Sequence, residues 1–181
     1  MNKYIFYFNF MLFIYIIQTP YIYAKNGQIG EIRIQGELIA EPCVIRPGDE
    51  EIEVDFGTII DKYLYINNRS QTESYIIHLD DCDTSIYNYV DITFIGNENP
   101  KLPGLLSLDA NSIASGIGIA ILDMNDKLIK INTPVPAYKL SNGNNELQFK
   151  AYVQAELNAI KSKNIGLGLF TATATFKLFY D

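Results

Sequence analysis

The sequence predicts an all-β sandwich. Past residue 24 the apolar residues recur at every second position in one short segment after another, the period of a strand with one buried face. Gly, Pro, Asn and Asp separate these segments. No convincing 3.6-residue apolar period appears in the mature chain. Eight or more such segments within the length of one domain indicate the class.

Residues 1–24 read as a targeting leader. Lys3 is their only charge, an Ile, Phe and Tyr run follows it, and Ala24 offers a small residue for cleavage. An uncleaved membrane anchor is the rival reading. The run from Tyr4 to Ile17 is shorter than the roughly 20 residues a spanning helix needs, and Gln18 and Pro20 interrupt it, which favours cleavage. The mature chain then carries 13 Lys+Arg against 21 Asp+Glu, a net charge of about −8. An acidic chain with no basic run argues against nucleic acid and against an anionic membrane surface.

The first alternating segment is GEIRIQGELIA, residues 30–40. Gly30, Ile32, Ile34, Gly36, Leu38 and Ala40 share one face, opposite Glu31, Arg33, Gln35 and Glu37. Pro42 and the Arg46-Pro47-Gly48-Asp49 stretch end the pattern and mark a turn. The acidic group Asp49, Glu50 and Glu51 lacks calcium-loop spacing and reads as a solvated loop. Ile52, Val54 and Phe56 form another half-buried strand, closed by Gly57. Residues 61–72 read as polar loop. Asn68-Arg69-Ser70 within them is formally a glycosylation sequon and indicates exposure alone.

Tyr75, Ile77 and Leu79 form the next inward face, with His78, the only histidine, on the outward side as a surface imidazole. Val90, Ile92 and Phe94 continue the scheme. Residues 105–108 are a short strand candidate. Ile117, Ile119 and Ile121 share a face in a segment whose Gly116 and Gly118 mark close strand packing, since no Lys-Ser/Thr or helix follows to make a phosphate loop. A hairpin turn at 123–126 leads into 127–131, and the prolines of 132–136 mark a loop or a sheet edge. The longest strand is predicted over Leu147–Leu157, a loop over 158–163, and a last strand whose inward face is Phe170, Ala172, Ala174, Phe176, Leu178 and Tyr180.

Cys43 and Cys82 are the two cysteines. In an exported chain an even pair reads as one disulfide, contributing roughly 4 kcal/mol by the chain-entropy relation. Two cysteines and one histidine do not make up a closed tetrahedral metal set. No Ser-His-Asp context and no paired carboxylates with a supporting pattern appear, so neither an enzyme nor a cofactor is expected.

These features together resemble a subunit of the chaperone–usher fimbriae, the type 1 and P pilus family, over residues 30–181. GEIRIQGELIAEPC is similar to the family's donor strand and first strand, and SYIIHLDDC to the strand that ends in the bridging cysteine. ASGIGIAILD resembles its glycine-containing central strand and NELQFKAYVQA its long penultimate one. Gly168, the alternating residues after it and the aromatic Tyr180 next to the C-terminus resemble the chaperone-recognition motif.

The resemblance implies an incomplete immunoglobulin-like sandwich of six strands lacking its last. Residues 1–24 are then the leader, 25–36 a donor-strand extension using Gly30, Ile32, Ile34 and Gly36, and 37–181 the pilin domain. A groove strand formed by Gly168, Phe170, Ala172, Ala174, Phe176, Leu178 and Tyr180 would receive first a periplasmic chaperone and then, in the fibre, the extension of a neighbouring pilus subunit, with an outer-membrane usher as a further partner. Burying Ile32, Ile34 and Leu38 there would contribute roughly 5–9 kcal/mol. The expected product is a structural subunit exported through the periplasm to a surface fimbrium with a role in adhesion. The alternative is a minor subunit or a single-domain adhesin with its own receptor surface, for which Tyr63, Tyr65 and Tyr87 are aromatic loop candidates, although core packing or turn support is the commoner role of such residues.

Overall fold

The computed structural model describes residues 30–38 and 41–181. The expected leader and its cleavage point lie outside these residues. The chain divides between Leu38 and Ile39 into two units. In the first, Gly30–Leu38 carries no strand and every residue is exposed, Ile32 at 87%, Ile34 at 90% and Leu38 at 101%. The expected strand is therefore not formed there.

The second unit is a sandwich of two antiparallel sheets. Its strands are β1 (Val44–Ile45), β2 (Glu73–Cys82), β3 (Tyr89–Ile95), β4 (Ile117–Leu122), β5 (Leu128–Ile129), β6 (Val135–Lys139), β7 (Gly143–Ala155) and β8 (Thr175–Tyr180). One sheet runs β1-β2-β7-β4-β5 and the other β6-β3-β8. The period-two pattern explains the layers. Ile77 and Leu79 of β2, Phe149 and Val153 of β7, and Val90 and Ile92 of β3 turn into the core and are fully buried. Phe149 joins the sheets: its ring meets Phe94 edge-on at 5.1 Å and Tyr138 at 5.9 Å, geometries that favour the ring quadrupoles.

Strand β4 is buried on both faces. A Cβ on Gly118 would stand 3.0 Å from the Asn99 side chain and 3.2 Å from the Leu106 carbonyl, so the predicted close packing is correct there. Residues 105–108 do not form the expected strand. Leu106 alone makes bridges, to Glu98 and Ile119.

Two short helices replace predicted loops. Helix α1 (Asp61–Asn67) buries only Leu64, and α2 (Leu157–Ser162) only Ala159. A helix of two turns with one buried residue shows no apolar period, which is why the alternation rule passes over both. Leu157, expected on the inward face of the long strand, instead opens α2 and is exposed. Asn68 ends α1 in the left-handed region (φ 65°), donating its N–H to the Leu64 carbonyl, a role to which asparagine is suited.

Cys43 and Cys82 form the expected disulfide, with Cα atoms 4.0 Å apart. It lies beside the short β1–β2 ladder, in which Val44 faces Asp80 and Ile45 faces Leu79, and it ties the chain's entry into the domain to the end of β2. Replacing both cysteines by serine should lower stability by about 2–5 kcal/mol. Equilibrium denaturation of the variant against the parent chain measures the loss.

Candidate functional site

The site is built on the end of the chain. Strand β8 lies at the edge of its sheet and has one neighbour, β3. In the register Val90 faces Tyr180, Ile92 faces Leu178 and Phe94 faces Phe176. Tyr89 and Asp181 exchange both N–H···O bonds at 3.1 Å. Antiparallel alternation then turns the backbone groups of Phe179, Lys177 and Thr175 toward β3 and those of Tyr180, Leu178 and Phe176 toward the free edge.

The residues before β8 continue this arrangement without a ladder. The Leu169 carbonyl accepts from Ile113 and Ala114, and the Thr171 carbonyl from Asp109. Thr171 donates its N–H to Ser112 Oγ, and Thr173 donates its N–H to Asp109 Oδ1. The loop over residues 109–114 thus holds the odd-numbered residues on one side of the segment. Strand structure begins only at Thr175, five residues later than the alternation from Phe170 suggests, because this stretch is held by a loop.

Side chains on the inward face are incompletely covered. Phe170, Ala172, Ala174, Phe176, Leu178 and Tyr180 pack against the core, yet all six are only half-buried. Their partners Val90 and Ile92 are 0% exposed. The outward face is ordinary protein surface, with Lys177 Nζ 4.5 Å above the Phe179 ring. Burial raises the Tyr180 hydroxyl pKa above its ordinary value, and the charge of Glu41 adds to the shift.

Gly168 precedes the segment at φ +146°. A Cβ there would collide with the Ile113 side chain, so both the dihedral and the space call for glycine.

A second extended line also packs on the core. Ile52, Val54, Phe56 and Ile59 are half-buried against it, while Glu51, Glu53 and Asp55 are exposed. The sequence reads Ile52–Phe56 as a strand, but the segment enters no ladder. Its alternation is correct and its pairing is absent. The Phe56 ring lies 6.4 Å from that of Phe170, linking this line to the last segment. The structure therefore brings Phe170–Tyr180 together as one inward face and adds Phe56 as an opposing residue. Gly30, Ile32, Ile34 and Gly36 lie in the other unit.

The start of the second line is pinned by charge. Arg46 donates from Nε and Nη2 to the two Asp80 oxygens, each at 2.9 Å. Asp49 Oδ2 accepts the His78 main-chain N–H at 2.7 Å and lies 2.7 Å from His78 Nδ1. Glu146 Oε1 is 4.0 Å from the other ring nitrogen. His78 is thus a half-buried clamp, not the free surface imidazole predicted. The strand alternation that points it outward cannot reveal a turn folding back over it.

The His78 N–H holds the Asp49 carboxyl below its ordinary pKa of 3.8. The Arg46 hydrogen bonds do the same for Asp80. A carboxylate with a lowered folded pKa adds stability above its unfolded pKa, and that stability is lost as pH falls through the folded value. Asp49→Asn should therefore lower the melting temperature at pH 7, with the difference from the parent shrinking below about pH 4 as Asp49 protonates. Thermal melts across pH 2–7 test the sign. A gap that stays constant would refute it.

Among the described residues no helix is long and apolar enough to cross a membrane. No group of three or more His, Cys, Asp or Glu residues there could hold a metal ion.

An all-β sandwich whose last strand keeps a free edge and a half-covered inward face is an immunoglobulin-like domain with an open sheet edge. A model of the fimbrial protein family matches residues 32–181, and the chain belongs to that family as a chaperone–usher fimbrial subunit. It is 37% identical over 153 residues to the Major MR/P fimbria protein of Proteus mirabilis, covering 84% of each chain. It is 32% identical to the putative minor fimbrial subunit PmfF of the same organism, over 92% of this chain and 93% of that one. The fimbrial adapter PapK of Escherichia coli is 34% identical, over 87% and 91%. Among solved structures, the P pilus rod subunit PapA superposes with a TM-score of 0.69 at 22% identity, covering 78% of this chain and 100% of that one. That likeness concerns the fold.

Proposed function

We propose that this fimbrial subunit polymerises by donor-strand exchange. The observation that carries the reading is β8: an edge strand with one neighbour whose inward face, Phe176, Leu178 and Tyr180, is left half-covered. An added strand would supply the missing ladder and cover these side chains together. Gly168, Phe170, Ala172, Ala174, Phe176, Leu178 and Tyr180 form the accepting strand.

The donor is the extension at residues 25–36 of a neighbouring subunit. Its Gly30, Ile32, Ile34 and Gly36 share one face by strand parity. The exposure of Ile32 and Ile34 supports this, since two large aliphatic side chains in water have burial energy still to gain. A periplasmic chaperone occupies the groove before assembly, and an outer-membrane usher is where the exchange takes place. The leader over residues 1–24 provides export, the domain over 37–181 forms the body, and the fibre contributes to surface adhesion. Relatives named as major, minor and adapter subunits all match, and the structural role is the one they share.

Deleting residues 25–36 should leave a subunit that is captured by its chaperone but absent from fibres. Quantifying the tagged subunit in sheared fimbriae and in periplasmic extract tests this, and incorporation at the parent level would overturn the donor assignment. Replacing Phe176 and Tyr180 together by glutamate should abolish chaperone capture and deplete the periplasmic subunit. Parent levels of a chaperone-bound double variant would overturn the groove assignment.

A further inference from the structure

A second feature lies away from the last strand. A polar cleft of about 350 Å3 between α1 and the start of β2 is lined by Tyr63, Asn67, Arg69, Ser70, Gln71 and Thr72. Its volume is at the low end for ligand sites, enough for one small polar molecule.

The floor of this cleft is held firmly. The Ser70 N–H donates to the Val153 carbonyl at 2.8 Å, and Ser70 Oγ accepts the Val153 N–H at 2.9 Å. Ala155 donates its N–H to the Asn68 carbonyl at 2.9 Å, and Gln154 Nε2 donates to the same oxygen. Residues 68–70 are therefore fastened to the end of β7 by backbone and side chain together. The backbone beneath the cleft is thus fixed before any ligand arrives, which lowers part of the ordering cost of binding.

Arg69 gives the cleft its chemistry. The chain has three arginines. Arg46 is paired with Asp80 at 2.9 Å and Arg33 lies 3.9 Å from Glu31, whereas Arg69 makes no ion pair among the described residues. Its guanidinium instead sits 5.0 Å above the Tyr152 ring. Stacking restrains the plane of the guanidinium while leaving its hydrogen-bond donors unspent on any carboxylate.

The neighbouring amides are turned the other way. Gln71 Nε2 donates to the Tyr63 hydroxyl at 2.6 Å, and Asn67 Nδ2 donates to the Tyr63 carbonyl at 3.1 Å. Their amide oxygens remain as acceptors, and Thr72 also lines the cleft. One planar cation next to several acceptors suits a ligand with one carboxylate and several hydroxyls. The chain's net charge of −7 disfavours a polyanion and leaves a singly charged molecule as the fitting class.

We propose that this cleft binds an acidic monosaccharide: a pyranose ring bearing one carboxylate, free or as the terminal residue of a glycan. Arg69 takes the carboxylate and the amide oxygens of Asn67 and Gln71 take ring hydroxyls. The proposal goes beyond the structural role and does not involve β8.

The test uses the full mature chain, purified in complex with the partner that occupies its groove, so that polymerisation plays no part. Methyl β-glucuronide, methyl β-glucoside and sodium acetate are titrated while the side-chain amide signals of Asn67 and Gln71 are followed by NMR. The glucuronide should saturate the shifts in the millimolar range, with glucoside and acetate each at least about tenfold weaker. Arg69→Gln should weaken the glucuronide at least about tenfold, and Arg69→Lys less. If Arg69→Gln does not fold, Gln71→Ala provides the second arm and should weaken glucuronide and glucoside alike. Glucoside or acetate binding as well as glucuronide would overturn the proposal, as would no saturation or a variant binding like the parent. A glucuronide-terminated disaccharide bound as tightly as the methyl glycoside identifies a glycan end as the source. A disaccharide excluded while the methyl glycoside binds identifies the free sugar.

Discussion

A β-strand directs its backbone donors and acceptors to both sides, and every one that is withdrawn from water needs a partner. Strand β8 has a neighbour only on the side of β3. The same geometry that leaves Phe176, Leu178 and Tyr180 with unpaired backbone groups also leaves their side chains half-covered. Backbone pairing and core burial are thus incomplete at one place for one reason. A fold with such an edge is exposed to indiscriminate pairing, and the family to which this chain belongs makes fibres of its subunits.

The surroundings of the edge are well held. The disulfide fixes the entry to β1, and the Arg46–Asp80 and Asp49–His78 contacts fix the turn before residues 51–59. Asp109 and Ser112 hold the residues before β8 from the other side. Each anchor lies on a neighbouring element, so the inward face itself is free of polar ties. Phe149, in contact with both Phe94 and Tyr138, keeps the two sheets together across the core.

Much of this was legible from parity alone. The inward residues of β2, β3, β4 and β7 and of the last segment were all found by counting every second position. That rule reports which face is buried, and it says nothing about who pairs with the backbone. Residues 52–56 expose the difference: their alternation matches a true strand, yet they have no ladder. The short helices escaped because one buried residue each, Leu64 and Ala159, cannot display a period. His78 and Asp49 lie 29 positions apart, and no local pattern joins a strand residue to a turn that folds over it. The Arg69 cleft is hidden in the same way, since Tyr152 and Val153 reach it from the far end of the chain.

The loop at residues 109–114 has a consequence for assembly as a whole. By occupying one flank of residues 169–173 it leaves that segment a single approach. The other sheet ends in β1 and β5, each of two residues, too short to template a partner. Strand β6, the far edge of the β8 sheet, carries Pro136 and so lacks a ladder donor within its five residues. With the donor arm proposed for residues 25–36, a single accepting flank amounts to a valence of two, with unlike ends. Units of that kind can only be threaded into unbranched strings with a direction, like beads each carrying one hook and one eye.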